Sequence, residues 1–326
     1  MEVKMMLHNE PALFASIITE ISDNLSIRDD YIEKDYWITL ALARLSGSKY
    51  AESVVFKGGT SLSKGFRLID RFSEDVDLAV INTNEMTGNQ IKSLIRNVEK
   101  EISQDMTEIA ISGVTSKGSR FRKAVYSYQQ PAGNFMHEKP DKSIIIEINS
   151  FGNASPWQKV EIQSMIGEFF EKNGRNDLVS KYGLQTFSLN ALDKNRTLIE
   201  KLASLIRFSF SADYLQVLST KIRHFYDIYF LIKAVETTTY LNSGNFLSDL
   251  KNVIEIDKNA FDEPDGWKFK NISESPLLKD FDFLWKKLRP VYTRELPLLA
   301  FKNIPDEKEV AETFKGLISV ISDNQE

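Results

Sequence analysis

VVFKGGTSLSKGFRLIDRFSEDVDLAV, residues 54–80, decides how the rest of the chain is read. Val54, Val55 and Phe56 form a short apolar run, the pattern of a buried strand. Gly58 and Gly59 follow directly. Thr60 stands where it can cap a helix running to about Ile69, with Leu62, Phe66 and Ile69 at helical spacing. After a polar turn, DVDLAV (residues 75–80) alternates as a strand does. Side chains two apart on a strand share a face, so Asp75 and Asp77 converge on one side while Val76 and Leu78 pack on the other. Two neighbouring carboxylates make a poor core and a good site for Mg²⁺ or Mn²⁺, hard ions that take oxygen ligands. The glycines let a phosphate approach backbone N–H groups at a helix start.

Upstream, residues 10–22 and 29–46 read as helices, the second capped by Asp29 or Asp30 and carrying Ile32, Trp37, Leu40 and Leu45. Glu33, Lys34 and Asp35 in its first turns read as a solvated face; the alternative places Lys34 above the glycines. Downstream, a helix over 87–105 carries Ile91, Leu94, Ile95, Val98 and Ile102 on one side, and strands are expected at 108–115, 122–129 and 143–149. PAGNFMHEKPD, residues 131–141, reads as a loop. In the last strand Ile144, Ile146 and Ile148 share one face, Ile145, Glu147 and Asn149 the other. A glutamate there needs a partner or an ion. Asp75, Asp77 and Glu147 together are a donor set for two divalent ions, which clamp phosphates and activate an attacking hydroxyl.

Basic residues gather nearby: Lys57, Lys64, Arg67 and Arg71. Lys64, one turn beyond Thr60, is placed to reach a triphosphate, while Arg67 and Arg71 have Asp70 and Glu74 as local partners. Lys117, Arg120, Arg122 and Lys123 suit an RNA backbone or a merely solvated turn, and Tyr126 and Tyr128 read as sheet core. Residues 153–190 hold possible short strands around Val160–Ile162 and Leu184–Leu189, separated by a loop-like run at 171–183. From 190 onward the pattern is helical: residues 191–210, 221–235, about 244–258, 277–288 and 306–321. The expectation is a mixed-sheet α/β (α+β) domain with N-terminal helices over 1–190, then a mostly helical domain over 191–326.

Composition narrows the classes. The chain has 326 residues, 42% of them hydrophobic, enough for two cores. With no cysteine there is neither a disulfide nor a thiolate metal site, and the three histidines, His8, His137 and His224, do not suggest a zinc centre. The first residues lack the apolar core of a signal peptide, and no run reaches the length of a membrane helix, so a soluble cytoplasmic protein is expected. A net charge of −5 gives no global argument for nucleic acid, and no DNA partner is expected. GGTS lacks the GxxxxGK[ST] spacing of a P-loop, and glycines at 58, 59 and 65 are not GxGxxG.

FKGGTSLSK (56–64) followed by RFSEDVDL (71–78) resembles the AbiEii/AbiGii toxin family of polymerase-beta-like nucleotidyltransferases. Gly58, Gly59, Thr60 and Ser61 match the family's first motif, Asp75 and Asp77 its paired acids, and Glu147 its later third acid. The interval from Gly59 to Asp75 is long for the wider superfamily and ordinary for this toxin group. In the helical half, Glu200 and Lys201 match a Glu-Lys pair, and Arg223, Tyr226, Asp227 and Ile228 match a second motif. There His224 and Phe225 depart from the usual form. The resemblance covers about residues 10–235.

It implies a nucleotidyltransferase-like fold and transfer of a nucleoside monophosphate from an NTP, with Mg²⁺ or Mn²⁺ on Asp75, Asp77 and Glu147. Gly58–Ser61 and Lys64 would hold phosphates, and Lys201 and Asp227 would assist. The implied acceptor is the tRNA 3′ end, in a toxin–antitoxin or phage-defence system whose antitoxin is encoded nearby and forms no tight complex. Transfer to a protein hydroxyl, or nucleotide or RNA binding without catalysis, are the alternatives. From the residues alone, Lys201 reads as a surface lysine, and Asp227 has a ready partner in Arg223, one turn earlier.

Overall fold

The computed structural model describes residues 5–81, 83–128, 142–151, 154–302 and 304–322. The loop expected at 131–141, with His137, lies outside the described residues. The chain divides into two units: Met1–Arg67 with Phe72–Leu192, and Leu68–Arg71 with Asp193–Glu326.

The first unit begins with helices α1 (Pro11–Leu25) and α2 (Asp29–Ser46), then strand β1 (Val54–Lys57) and a short turn of helix α3 (Gly58–Thr60). Strand β2 (Asp75–Val80), helix α4 (Gly88–Ile102) and strands β3 (Thr107–Ile109), β4 (Ser116–Lys117), β5 (Phe121–Ser127), β6 (Ser143–Asn149) and β7 (Trp157–Ile162) follow. Helices α5 (Met165–Lys172) and α6 (Asn176–Tyr182) and strand β8 (Phe187–Leu192) complete it. One eight-stranded sheet runs β3-β5-β6-β2-β1-β8-β7, with β4 beside β5. β2 pairs with β6, and β1 with β8, in parallel; the other pairs are antiparallel. Val76, Leu78, Ile144, Ile146 and Ile148 are buried, as their alternation requires.

The mixed-sheet fold class read from the sequence holds, and four local readings are corrected. The helix expected to reach Ile69 stops early: α3 passes into a π-turn at Ser61–Gly65, and Arg67 takes a left-handed φ of 51°. Gly65 lies so close to β7 that a Cβ there would sit 2.9 Å from Val160, so the turn closes against that strand. Lys57, not Thr60, occupies the position before the helix. Second, Glu33, Lys34 and Asp35 are buried rather than solvated. α2 packs against α1, α4 and α5 and against strands of the sheet, which leaves residues 31–39 no water-facing side. Third, β3 ends at Ile109, because Ile111 and Thr115 close a turn in which the Thr115 hydroxyl accepts from Ile111 N–H (3.2 Å) and donates to its carbonyl (2.9 Å). Fourth, the loop-like run 171–183 contains α6, framed by Gly174 and Gly183, both with left-handed φ.

The second unit is helical: α7 (Lys194–Phe208), α8 (Tyr214–Ser219), α9 (Ile222–Lys233), α10 (Val235–Leu241), α11 (Asn245–Ala260), α12 (Pro276–Lys279), α13 (Phe281–Leu299) and α14 (Glu307–Ser322). Its core includes Phe225, packed 5.4 Å from Trp285 and 4.8 Å from Phe314 between ring centres. The short segment Leu68–Arg71 is stitched into this unit. Asp70 accepts from Phe301 N–H at its carbonyl (3.0 Å) and pairs with Lys302 (2.8 Å), and Arg71 bridges to Ala300. Among the described residues no helix is long and apolar enough to cross a membrane.

Candidate active site

The register of the sheet places four charged residues in one row across four strands. Lys57 on β1 stands opposite Asp77 on β2, Asp77 opposite Glu147 on β6, and Glu147 opposite Lys123 on β5. The signs run plus, minus, minus, plus. Asp75, two residues before Asp77, shares its face, so all three acids anticipated from the sequence lie on one side of the sheet. Each is partly exposed, while the residues between them are buried or half-buried.

The charges of this row act on one another. Burial pushes the Asp77 carboxyl up to about 8, with the neighbouring Glu147 and Asp75 charges adding to the rise and Lys57 and Lys123 opposing it. The Lys123 ammonium stands 3.4 Å from a Glu147 oxygen. The donor set is all carboxylate oxygen, which fits a hard divalent cation. Among the described residues no trio of such side chains is already drawn to metal-holding distance.

The glycine turn is built against this row. Gly58 has a φ of 78°, and a Cβ there would lie 2.1 Å from an Asp77 carboxylate oxygen. Both facts demand glycine. The Thr60 hydroxyl donates to the Asp75 carbonyl (2.5 Å) and the Ser61 hydroxyl to the Gly58 carbonyl (2.9 Å); both side chains are buried. These hydroxyls hold the turn to the acid strand, and what Gly58, Gly59, Thr60 and Ser61 offer a ligand is main chain. We expect Gly58→Ala to lower the melting temperature by several degrees and transfer by about tenfold or more, since a left-handed alanine alone costs ~1–2 kcal/mol. Unchanged melting and transfer would refute the close approach to Asp77.

The basic residues are differently placed from the sequence expectation. Lys64 forms an ion pair with Asp35 of α2. Arg67 pairs with Glu168 at 2.8 Å, and Arg71 with Asp227, rather than either with Asp70 or Glu74. Lys117 pairs with Glu108 and Arg122 with Glu99, both at 2.6 Å, so with Lys123 beside Glu147 three members of the second patch carry acidic neighbours. Tyr126 and Tyr128 are buried in the sheet, Tyr128 stacked on Trp37.

Lys201 and Asp227 belong to the second unit, where they pair with each other at 2.8 Å. Arg71 completes the group with two 2.7 Å bonds from its guanidinium to the two Asp227 oxygens. Arg223, the local partner suggested by the sequence, does not supply this pair, and Lys201 is buried, not a surface lysine. Burial pushes the Asp227 carboxyl upward, but Arg71 and then Lys201 outweigh it and hold the group well below the ordinary carboxylate range. His224, beside them, is buried with its Nδ1 unbonded; burial, and next the Lys201 charge, push its pKa well down.

Sequence reading named Lys57 and Arg71 among the basic residues near the acids, Lys123 in the second patch and Asp35 on a solvated face, and gave none of them its partner in the structure. Lys57 adjoins Gly58 and Lys123 follows the alternation of its strand, but only the register puts either beside the acids.

A family model described as nucleotidyl transferase AbiEii toxin, type IV TA system, matches residues 40–312. Among solved structures, MenT4, a nucleotidyltransferase toxin from Mycobacterium tuberculosis, is similar at 14% identity with a TM-score of 0.40, covering 93% of this chain and 98% of its own. No curated protein matches.

Proposed function

This chain belongs to the AbiEii family of nucleotidyltransferase toxins of type IV toxin–antitoxin systems, and from that premise we propose that it moves a nucleoside monophosphate from an NTP to the 3′ end of tRNA in the cytoplasm. The observation that carries the reading is the row of acids behind a glycine turn that only glycine can make. Membership implies a cognate antitoxin. We place the system in phage defence, and we expect no tight complex with the antitoxin; a stable stoichiometric complex purified from the native operon would contradict that.

In the reaction, the acceptor hydroxyl oxygen bonds to the α-phosphorus, the bond from that phosphorus to the bridging oxygen breaks, and pyrophosphate leaves. Asp75, Asp77 and Glu147 would hold Mg²⁺ or Mn²⁺, which supplies charge neutralisation at the phosphates and lowers the pKa of the attacking hydroxyl. The main chain of Gly58–Ser61 faces the phosphates, with Lys64 at the end of that turn. Glu147 is the carboxylate assigned to receive the hydroxyl proton, and the Lys123 ammonium stands 3.4 Å from it. Lys201 and Asp227 support the helical unit through their buried pair.

The test is incubation of the purified protein with Mg²⁺, each α-labelled NTP and total tRNA. Label in the tRNA band, sensitive to a chelator, is the expected result. Label in a protein band would replace the acceptor by a protein hydroxyl, and NTP binding with no transfer to either would reduce the site to a binding one.

A further inference from the structure

Three consecutive residues of α2, Glu33, Lys34 and Asp35, are charged and buried. Successive helix positions point about 100° apart, so the three side chains leave the helix in three directions. Each meets a different segment that carries the acid row or its glycine turn. Asp35 binds the Lys64 ammonium through one oxygen and the Met165 N–H through the other (2.8 Å). Lys34 donates to Glu74 at 2.8 Å, and Glu74 immediately precedes Asp75. Glu33 pairs with Lys142 at 2.8 Å, just before the strand that carries Glu147, though Lys142 is the most exposed member of the set.

A buried ion pair is a poor source of net stability, because desolvation offsets its attraction. Three buried charges in succession on one helix, each with a partner of opposite sign, are better explained by what they hold in place. The interval from Ser61 to Asp75 contains no regular helix or strand beyond Gly65, so local structure does not fix its ends. Lys34 and Asp35 do.

We propose that Lys34 and Asp35 are positioning residues for nucleotide transfer: Asp35 fixes the far end of the glycine turn through Lys64, and Lys34 fixes the start of the acid strand through Glu74. The proposal rests on the transfer reading above. It separates the two contacts by their effect. Loosening Glu74 disturbs the placement of Asp75 and Asp77 and acts on the chemical step. Loosening Lys64 disturbs the turn that meets the triphosphate and acts on NTP saturation.

The experiment is single-turnover transfer from α-labelled NTP, at a temperature well below all melting transitions, with melts recorded alongside. Lys34→Met/Glu74→Gln removes both charges of this pair together, so its melting temperature should stay within a few degrees of wild type. Its maximal rate should fall ~10- to 100-fold, the range typical for residues that orient a metal ligand, with the half-saturating NTP concentration little changed. Asp35→Asn keeps an acceptor for Met165 and should raise the half-saturating NTP concentration about tenfold. A double variant that melts like wild type and transfers at the wild-type rate would overturn the proposal, leaving Lys34 merely structural. So would Asp35→Asn with unchanged NTP saturation. If wild type itself transfers no label, the transfer reading fails and takes the positioning role with it; activity in wild type with both variants unimpaired fails the positioning role alone.

Discussion

Asp77→Asn abolishes transfer, by ~10³-fold or more, and raises the melting temperature of the metal-free protein in mild alkali. The first effect follows from removing charge where charge is developed in the reaction. The second follows from the row itself. Asp77 holds its proton up to about 8 because burial, Glu147 and Asp75 all disfavour its ionised form. A carboxyl raised above its ordinary value of 3.8 contributes stability that is fully present below that value and is lost as pH climbs through about 8. Above that, the folded protein carries an ionised group it resists. At ~1.36 kcal/mol per unit the penalty is at most roughly 6 kcal/mol, and less where water reaches the carboxylate. Asparagine keeps the volume and removes the penalty. In chelator the variant should melt several degrees above wild type near pH 9 and close to it near pH 4, and added Mg²⁺ should raise wild type far more than the variant. A variant no more stable than wild type at the higher pH would refute the account of the row, and one that transfers at the wild-type rate would remove Asp77 from the site.

Asp227→Ala carries the largest expected loss of stability. It strands the Arg71 guanidinium and the Lys201 ammonium, both buried, without their shared acid. Breaking a buried pair from one side typically costs ~3–5 kcal/mol, and the shared acid puts this variant at the upper end. Because the Asp227 pKa is held down, the stabilisation is present above the ordinary value of 3.8 and is lost only as pH falls far into acid. Arg71→Met/Lys201→Met/Asp227→Leu, which removes every member, should recover most of the loss in urea unfolding. Asp227→Ala within ~1 kcal/mol of wild type would show that the three charges are not mutually dependent. The same geometry changes what Lys201→Ala means. An exposed lysine would leave stability untouched; this one leaves Asp227 with a single cation, so transfer and melting temperature should fall together.

The shared face of Asp75 and Asp77 was legible because strand alternation is local: two residues apart means one face, and an isolated Glu147 among isoleucines has to be accounted for. The mixed sheet was legible for the same reason, from apolar runs and turn residues. The row Lys57–Asp77–Glu147–Lys123 was not, because register between strands is set by the whole sheet and leaves no mark on any one of them. Burial of Glu33, Lys34 and Asp35 was hidden in the same way, since a charged tripeptide looks solvated until its surroundings are known. Arg71 and Asp227 lie 156 residues apart, whereas Arg223 offered a partner one turn away; sequence reading chooses the near partner by default. The GGTS helix was overextended because Leu62, Phe66 and Ile69 keep a helical interval after the helix has ended.

Leu68–Arg71 is four residues of the second unit enclosed by sequence of the first. The chain is therefore not two cassettes in tandem, whatever the order of its strands and helices suggests. A recombination event joining two related genes at the Leu192–Asp193 boundary would take Arg71 from one parent and Asp227, Lys201 and Ala300 from the other. Only parents whose residues at these places had drifted together would yield viable offspring. Inheritance of the helical half is thus tied to a short stretch just upstream of the acids, and the two halves are expected to evolve as one lineage.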